Sequence, residues 1–206
     1  MIDNTGFVLV LSGPSGSGKD TVINELLKRD EKTIVSVSMT TRKPRPGEVD
    51  GVSYFFVTKE EFLSHIENGE MLEYAKYGDN YYGTPKAPVK KWTDEGKTVL
   101  LKIEVQGASK IKEQWPGICT MFLMPPSVQA LRQRLKGRNT ESTAEIEQRI
   151  SIARQEISQA YDYDFIIVNN RLDDAVENIL EVIYRNRRHL REAEQGINID
   201  ILGETE

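Results

Sequence analysis

The sequence predicts an α/β fold in three layers, α/β/α, with a parallel central sheet, an inserted small β-rich subdomain and a helical lid. Three observations carry this. Short apolar runs alternate with stretches of helical periodicity at both ends of the chain, the pattern of strands joined by crossover helices. Residues 40–51 hold two prolines, two glycines and three basic residues, a texture that fits no regular element, so an insertion breaks the alternation there. A chain of 206 residues, 38% hydrophobic and 29% charged, suits one soluble globular domain with a real core.

The elements follow in order. FVLVL at 7–11 is a buried strand, and Val22, Ile23, Leu26 and Leu27 mark a helix after a glycine-serine loop. IVSVS at 34–38 reads as a second strand and SYFFV at 53–57 as strand-like. Thr58 followed by Glu61 is a capping box, opening a helix with Phe62, Leu63 and Ile66 that stops near Gly69. MLEYAKY and NYYGTP form short strands around a turn. TVLLKIEV at 98–105 and GICTMFLM at 117–124 are buried strands with a helix near 107–114 between them, and Pro125 and Pro126 end the second. A helix follows with Val128, Leu131 and Leu135; GRNTES is a polar loop. Ser142 with Glu145 is another capping box, opening a helix with Ile146, Ile150, Ala153 and Ile157. DFIIV at 164–168 is the last strand, and Val176, Ile179, Leu180 and Ile183 mark the last helix before a polar tail after about Arg191. The expected layout is a single domain over 1–206. Its core spans 1–38, 93–127 and 161–206, its insertion 39–92 and its lid 128–160.

Composition narrows the function. A net charge of −5 argues against a nucleic-acid binder. One cysteine, Cys119, excludes an internal disulfide framework and fits a reducing compartment. No secretory signal and no membrane span is read, so the expected location is the cytoplasm and no membrane partner is expected. The histidines, His65 and His189, fall in or near predicted helices, and no metal-ligand cluster or Ser-His-Asp arrangement stands out.

SGPSGSGKDT at 12–21 lies between the first strand and the first helix, the context a phosphate loop requires. A helix N-terminus offers unpaired N–H groups and a positive dipole end. Gly13, Gly16 and Gly18 let the backbone wrap an anion, and Lys19 adds a mobile charge. The position after the lysine usually carries a hydroxyl that helps hold Mg²⁺. Here it is Asp20, which favours the dipole but repels phosphate. Thr21 does not substitute, because one residue turns the side chain by roughly 100°. Two readings of Asp20 stay open: it reaches Mg²⁺ directly or through water, or it points to solvent.

The insertion adds a second anion site. Arg42 and Arg45 are fixed near prolines, and arginine forks grip phosphate oxygens bidentately. Tyr54 and Tyr82 each add a hydroxyl donor. Glu73 is a carboxylate that can accept two adjacent hydrogen bonds, which guanine offers and adenine does not. A hydroxyl such as Thr84 or Ser38 could complete that recognition. Composition alone favours the plainer reading of Glu73, an exposed acid.

Together LSGPSGSGKDT, SMTTRKPRPGEVDGVSYFF, EYAKYGDNYYGT, IEVQG, MPPS, RLKGRNTES and IIVNN resemble the guanylate kinase family over about residues 6–188. The stretch 38–84 is the specific part. The resemblance implies a P-loop NTPase-type fold and the reaction ATP + GMP → ADP + GDP with Mg²⁺, in purine nucleotide metabolism, with dGMP a second candidate acceptor. It puts the ATP phosphates on Gly13, Pro14, Ser15, Gly16, Ser17, Gly18, Lys19, Asp20 and Thr21, with Asn169 near the adenosine end. It puts the GMP phosphate on Arg42, Arg45, Tyr54 and Tyr82, with Glu48 beside them. The guanine falls on Ser38, Glu73 and Thr84, with Glu104 nearby. Arg134, Arg138 and Arg149 match lid arginines, which with Lys19 and Arg42 make the expected catalytic set. Asp20 is the expected metal contact.

The chain also departs from the family pattern. Asp20 stands where Ser, Thr or Gly is usual, Lys102 where an acid is usual, Asn139 where Gly is usual and Asn170 where an acid is common. Lys102 could pair with Asp20, with Glu104 or with a phosphate. Two other classes compete: a guanylate-kinase-like module that binds protein partners, and a P-loop kinase for another monophosphate. The intact loop with Lys19 argues against the first, and Ser38, Glu73 and Thr84 against the second.

Overall fold

A computed structural model describes residues 6–115, 118–136 and 143–194. Its larger sheet has five parallel strands: β1 (Phe7–Ser12), β2 (Thr33–Val35), β7 (Thr98–Lys102), β8 (Cys119–Met124) and β9 (Phe165–Val168), in the order β2-β7-β1-β8-β9. Helices α1 (Lys19–Arg29) and α7 (Leu172–Glu194) cover one face, where Leu9, Leu11, Leu26, Met121, Val176 and Ile179 are wholly buried. Helices α3 (Lys86–Asp94) and α4 (Val105–Gln114) cover the other, with Val10, Val89, Val99 and Ile111 buried between them. Both faces being covered is why these strands read as unbroken apolar runs rather than alternating ones.

The insertion is a second, four-stranded sheet in the order β4-β3-β6-β5, built from β3 (Met39–Thr40), β4 (Phe55–Phe56), β5 (Met71–Tyr77) and β6 (Asn80–Pro85). It closes over α2 (Lys59–Glu67) through Met39, Phe62 and Met71. The capping box of α2 is present in both halves: Thr58 Oγ1 accepts from the Glu61 N–H, and the Glu61 carboxylate accepts from the Thr58 N–H at 2.8 Å. The segment expected to be a lid holds a helical pair, α5 (Val128–Lys136) and α6 (Thr143–Ser158), packed through Leu131, Leu135, Ile146, Ile150 and Ala153. A 3₁₀ turn at Ala160–Asp162 leads from it to β9. The expected cap at Ser142 and the glycine replacement at Asn139 lie outside the described residues.

Several strands are shorter than the sequence reading has them, β4 at Phe55–Phe56 and β8 at Cys119–Met124 among them, and β7 and β2 end early. β7 stops at Lys102 instead of running to 105, because Val105 already starts α4 while remaining 2% exposed. An apolar run carries on through a strand-to-helix junction whenever both sides of the junction are buried, so hydrophobicity alone does not mark the end. β2 likewise stops at Val35; Ser36 keeps one ladder bond, to Leu100 O at 2.9 Å, before the chain leaves for the insertion.

Among the described residues no helix is long and apolar enough to cross a membrane.

Candidate functional site

β1 is the central strand, and its C-terminal end carries the glycine loop. Ligands of open α/β sheets bind beyond the carboxyl ends of such strands. Gly13 and Gly18 hold positive φ values of 144° and 97°, and a Cβ at Gly13 would lie 2.4 Å from Leu123 O. No other residue fits there without moving backbone. Gly18 is the N-cap of α1, and Lys19 is its first residue. The Lys19 side chain is only 9% exposed and donates to the Gly13 and Pro14 carbonyl oxygens. Burial lowers its pKa, with Glu104 opposing.

The loop is braced from behind. Asn169 Nδ2 donates to Ser17 O at 2.8 Å, and Arg134 donates to Ser17 O at 3.0 Å and to Asn169 O at 2.9 Å. Arg149 Nη2 donates to Ser15 Oγ at 2.7 Å. Two of the lid arginines therefore reach the loop from α5 and α6; Arg138 lies outside the described residues. Asp20 and Thr21 are exposed. Of the three partners open to Lys102, the structure shows Asp20, with Nζ 2.5 Å from Oδ1.

In the insertion, Arg42 forks onto Glu48, Nη1 to Oε2 at 2.9 Å and Nη2 to Oε1 at 2.7 Å, while the Arg45 N–H donates to Glu48 Oε2 at 2.7 Å. The guanidinium lies 5.4 Å from the Tyr54 ring centre and 5.9 Å from that of Phe56. The Tyr54 and Tyr82 rings meet edge-on at 6.1 Å. Hydrogen bonds from Arg42, then from the Arg45 backbone, pull Glu48 down to about 2. Glu48 thus orients the fork rather than offering a donor. Of the residues expected around one anion, Arg42, Tyr54 and Tyr82 stand together, while Arg45 is exposed and joins them through its backbone N–H on Glu48.

Glu73 on β5 faces Thr84 on β6 in the ladder, and Thr84 Oγ1 donates to Glu73 Oε1 at 2.9 Å. Burial raises the Glu73 pKa, with the Thr84 bond opposing. Its other oxygen faces α4: a Cβ at Gly107 would stand 3.3 Å from Oε2. Ser38 is half-buried, and its carbonyl accepts from Phe55 N at 2.9 Å. Glu104 is the exposed N-cap residue of α4.

Sequence reasoning missed Gly107 and Glu156. Gly107 shows only in space, where α4 approaches β5. Glu156 is a half-buried acid on α6 whose pKa is raised by burial, then by Glu104, with Lys19 opposing. It sits beside the apolar stripe of its helix, and no spacing signal marks it. Among the described residues no group of three or more His, Cys, Asp or Glu could hold a metal alone. Asp20 is an exposed carboxylate at the loop, with room around it for water, and that is the donor type Mg²⁺ takes.

Residues 6–186 match the family model described as guanylate kinase. A guanylate kinase of Clostridioides difficile (strain 630) is 50% identical over 183 residues, 89% of each chain. One of Synechocystis sp. (strain ATCC 27184 / PCC 6803 / Kazusa) is 47% identical, covering 86% of this chain and 93% of its own. The crystal structure of guanylate kinase from Anaplasma phagocytophilum superposes with a TM-score of 0.70 at 35% identity, over 92% of this chain and 95% of that one.

Proposed function

This chain belongs to the guanylate kinase family, and on that premise we propose which of its residues carry out the transfer. The reaction moves the γ-phosphoryl group of ATP to GMP, giving ADP and GDP. Phosphoryl transfer needs alignment and charge neutralisation more than a covalent group. ATP phosphates lie along residues 13–21, with the loop N–H groups and Lys19 as donors. Asn169 keeps the loop in shape from its buried side. The insertion, 39–92, takes GMP: Arg42, Arg45, Tyr54 and Tyr82 hold its phosphate, with Glu48 aiming Arg42. Ser38, Glu73 and Thr84 read the base, with Glu104 at the edge of that site.

The observation that carries the base assignment is the half-buried Glu73 carboxylate with Thr84 on one oxygen. It leaves acceptor capacity for guanine's ring N–H and exocyclic amine. The lid, 128–160, closes over the γ-phosphoryl with Arg134, Arg138 and Arg149, excluding the water that would otherwise hydrolyse ATP. Mg²⁺ would enter with ATP and supply positive charge against the phosphates, and Asp20 would be the carboxylate that holds it. We place the reaction in the cytoplasm; Cys119, a buried free thiol pushed up to about 12 by burial, suits reducing conditions.

The test is ADP release from ATP and Mg²⁺ with GMP, AMP, CMP and UMP supplied one at a time. Turnover with GMP alone is expected. Equal turnover with AMP would remove Glu73 from its role. GMP binding without turnover would make the chain a binding module.

A further inference from the structure

One cation at the mouth of the phosphate loop has no role in the scheme above. Lys102 is the last residue of β7 and is in register with Leu11 of β1, so it stands beside the point where the loop begins. From there it crosses to the first turn of α1 and meets Asp20, Nζ to Oδ1 at 2.5 Å. The two side chains are 43% and 70% exposed, so charge rather than packing holds them together. An exposed pair of this kind adds little to stability. Its place is what matters. Asp20 occupies the same helix N-terminus that would bind phosphate, and an uncompensated carboxylate there repels the ligand. Both charges also act on buried Lys19, Lys102 lowering and Asp20 raising its proton affinity, so their field extends into the loop.

We propose that Lys102 is a positioning residue of the ATP site: it screens Asp20 from the phosphate tail, so that ATP can enter the loop before a metal reaches that carboxylate. The inference rests on the assignment of residues 13–21 to ATP. When Mg²⁺ is bound with the phosphates, Asp20 has a second counter-ion and the contribution of Lys102 shrinks. The metal dependence of ATP binding is then set by a pair, Asp20 with Lys102, rather than by either residue alone.

A double-mutant cycle read by calorimetry tests this. The Kd of ATP is measured in EDTA and in excess Mg²⁺ for the unaltered protein, K102M, D20N, D20N/K102M and K102R; the Kd of GMP and the Tm report folding. K102M should weaken metal-free ATP binding about tenfold or more, as an unscreened like charge beside the ligand would. In excess Mg²⁺ the loss should be clearly smaller. Because the carboxylate is gone, D20N/K102M should recover most of the metal-free affinity, and K102R, which keeps the pair, should lose little. An unchanged metal-free Kd in K102M would make the pair a surface contact that phosphate does not feel. A double mutant as weak as K102M would mean that Lys102 acts on phosphate itself. The screening role would also fall if the unaltered protein bound ATP only with Mg²⁺. Failure of the unaltered protein to bind ATP under either condition would overturn the loop assignment instead.

Discussion

At the residue scale, the proposed base-reading role of Glu73 makes its burial testable. Burial, only partly opposed by Thr84, lifts its pKa above the usual 4.5. The ionised form is the one that accepts from guanine, so GMP affinity should fall as pH drops through that raised value. In E73Q the dependence on this group should vanish, while the ATP Kd stays constant. Calorimetric Kd values for GMP across pH check the sign, and the same variant reports the weight of the contact. Losing a charged acceptor from a buried pair of donors costs about 1.5–3 kcal/mol, so kcat/KM for GMP should drop roughly 10- to 100-fold. A drop that struck ATP equally would place Glu73 elsewhere.

At the element scale, the site exists because α4 and the lid come close to other parts. Gly107 lets α4 approach β5, since a Cβ there would stand 2.4 Å from Ile103 Cγ2 as well as near Glu73 Oε2. G107A should therefore cost about 1–3 kcal/mol by overpacking and raise the KM for GMP more than that for ATP. Urea melts and the two KM values separate this from a global defect. On the other side, α6 brings Arg149 to Ser15 Oγ at 2.7 Å. If Arg149 stabilises charge developing in transfer, R149A should lower kcat by about 10²- to 10³-fold with little change in GMP Kd. Loss of ATP affinity with kcat intact would mean that Arg149 serves only to shape the loop.

At the scale of the whole molecule, one buried ion pair ties the ends of the fold together. Arg187 on α7 forks onto Asp30 at 2.9 and 2.7 Å and reaches Thr98 Oγ1 at 3.0 Å, linking α7, the turn after α1 and the start of β7. Both side chains are under 9% exposed. Removing one partner strands the other, so R187M should cost about 3–5 kcal/mol. Burial pushes the Asp30 pKa up, but hydrogen bonds from Arg187 and Thr33 more than offset it, and the net shift is downward. A lowered carboxylate pKa contributes stability above its unfolded value, near 3.8, and loses it as pH falls through the folded value. Denaturant melts below pH 5 should thus show a steeper loss in the unaltered protein than in R187M.

The sequence by itself determined the alternating architecture, the phosphate loop and the capping box at Thr58, because these depend on local periodicity and on neighbouring residues. Arg42, Arg45 and Glu73 it singled out only through the resemblance of the long motif at 38–84, since their residue types alone fit a solvated surface as well. Only the tertiary structure decided that Lys102 meets Asp20, that Glu48 aims Arg42, that Asn169 and Arg134 brace Ser17, and that Gly107 makes room beside Glu73. Each of these joins parts distant in the chain or fixes a side-chain direction. Neither periodicity nor composition encodes such distances; they follow from how the sheets and helices pack.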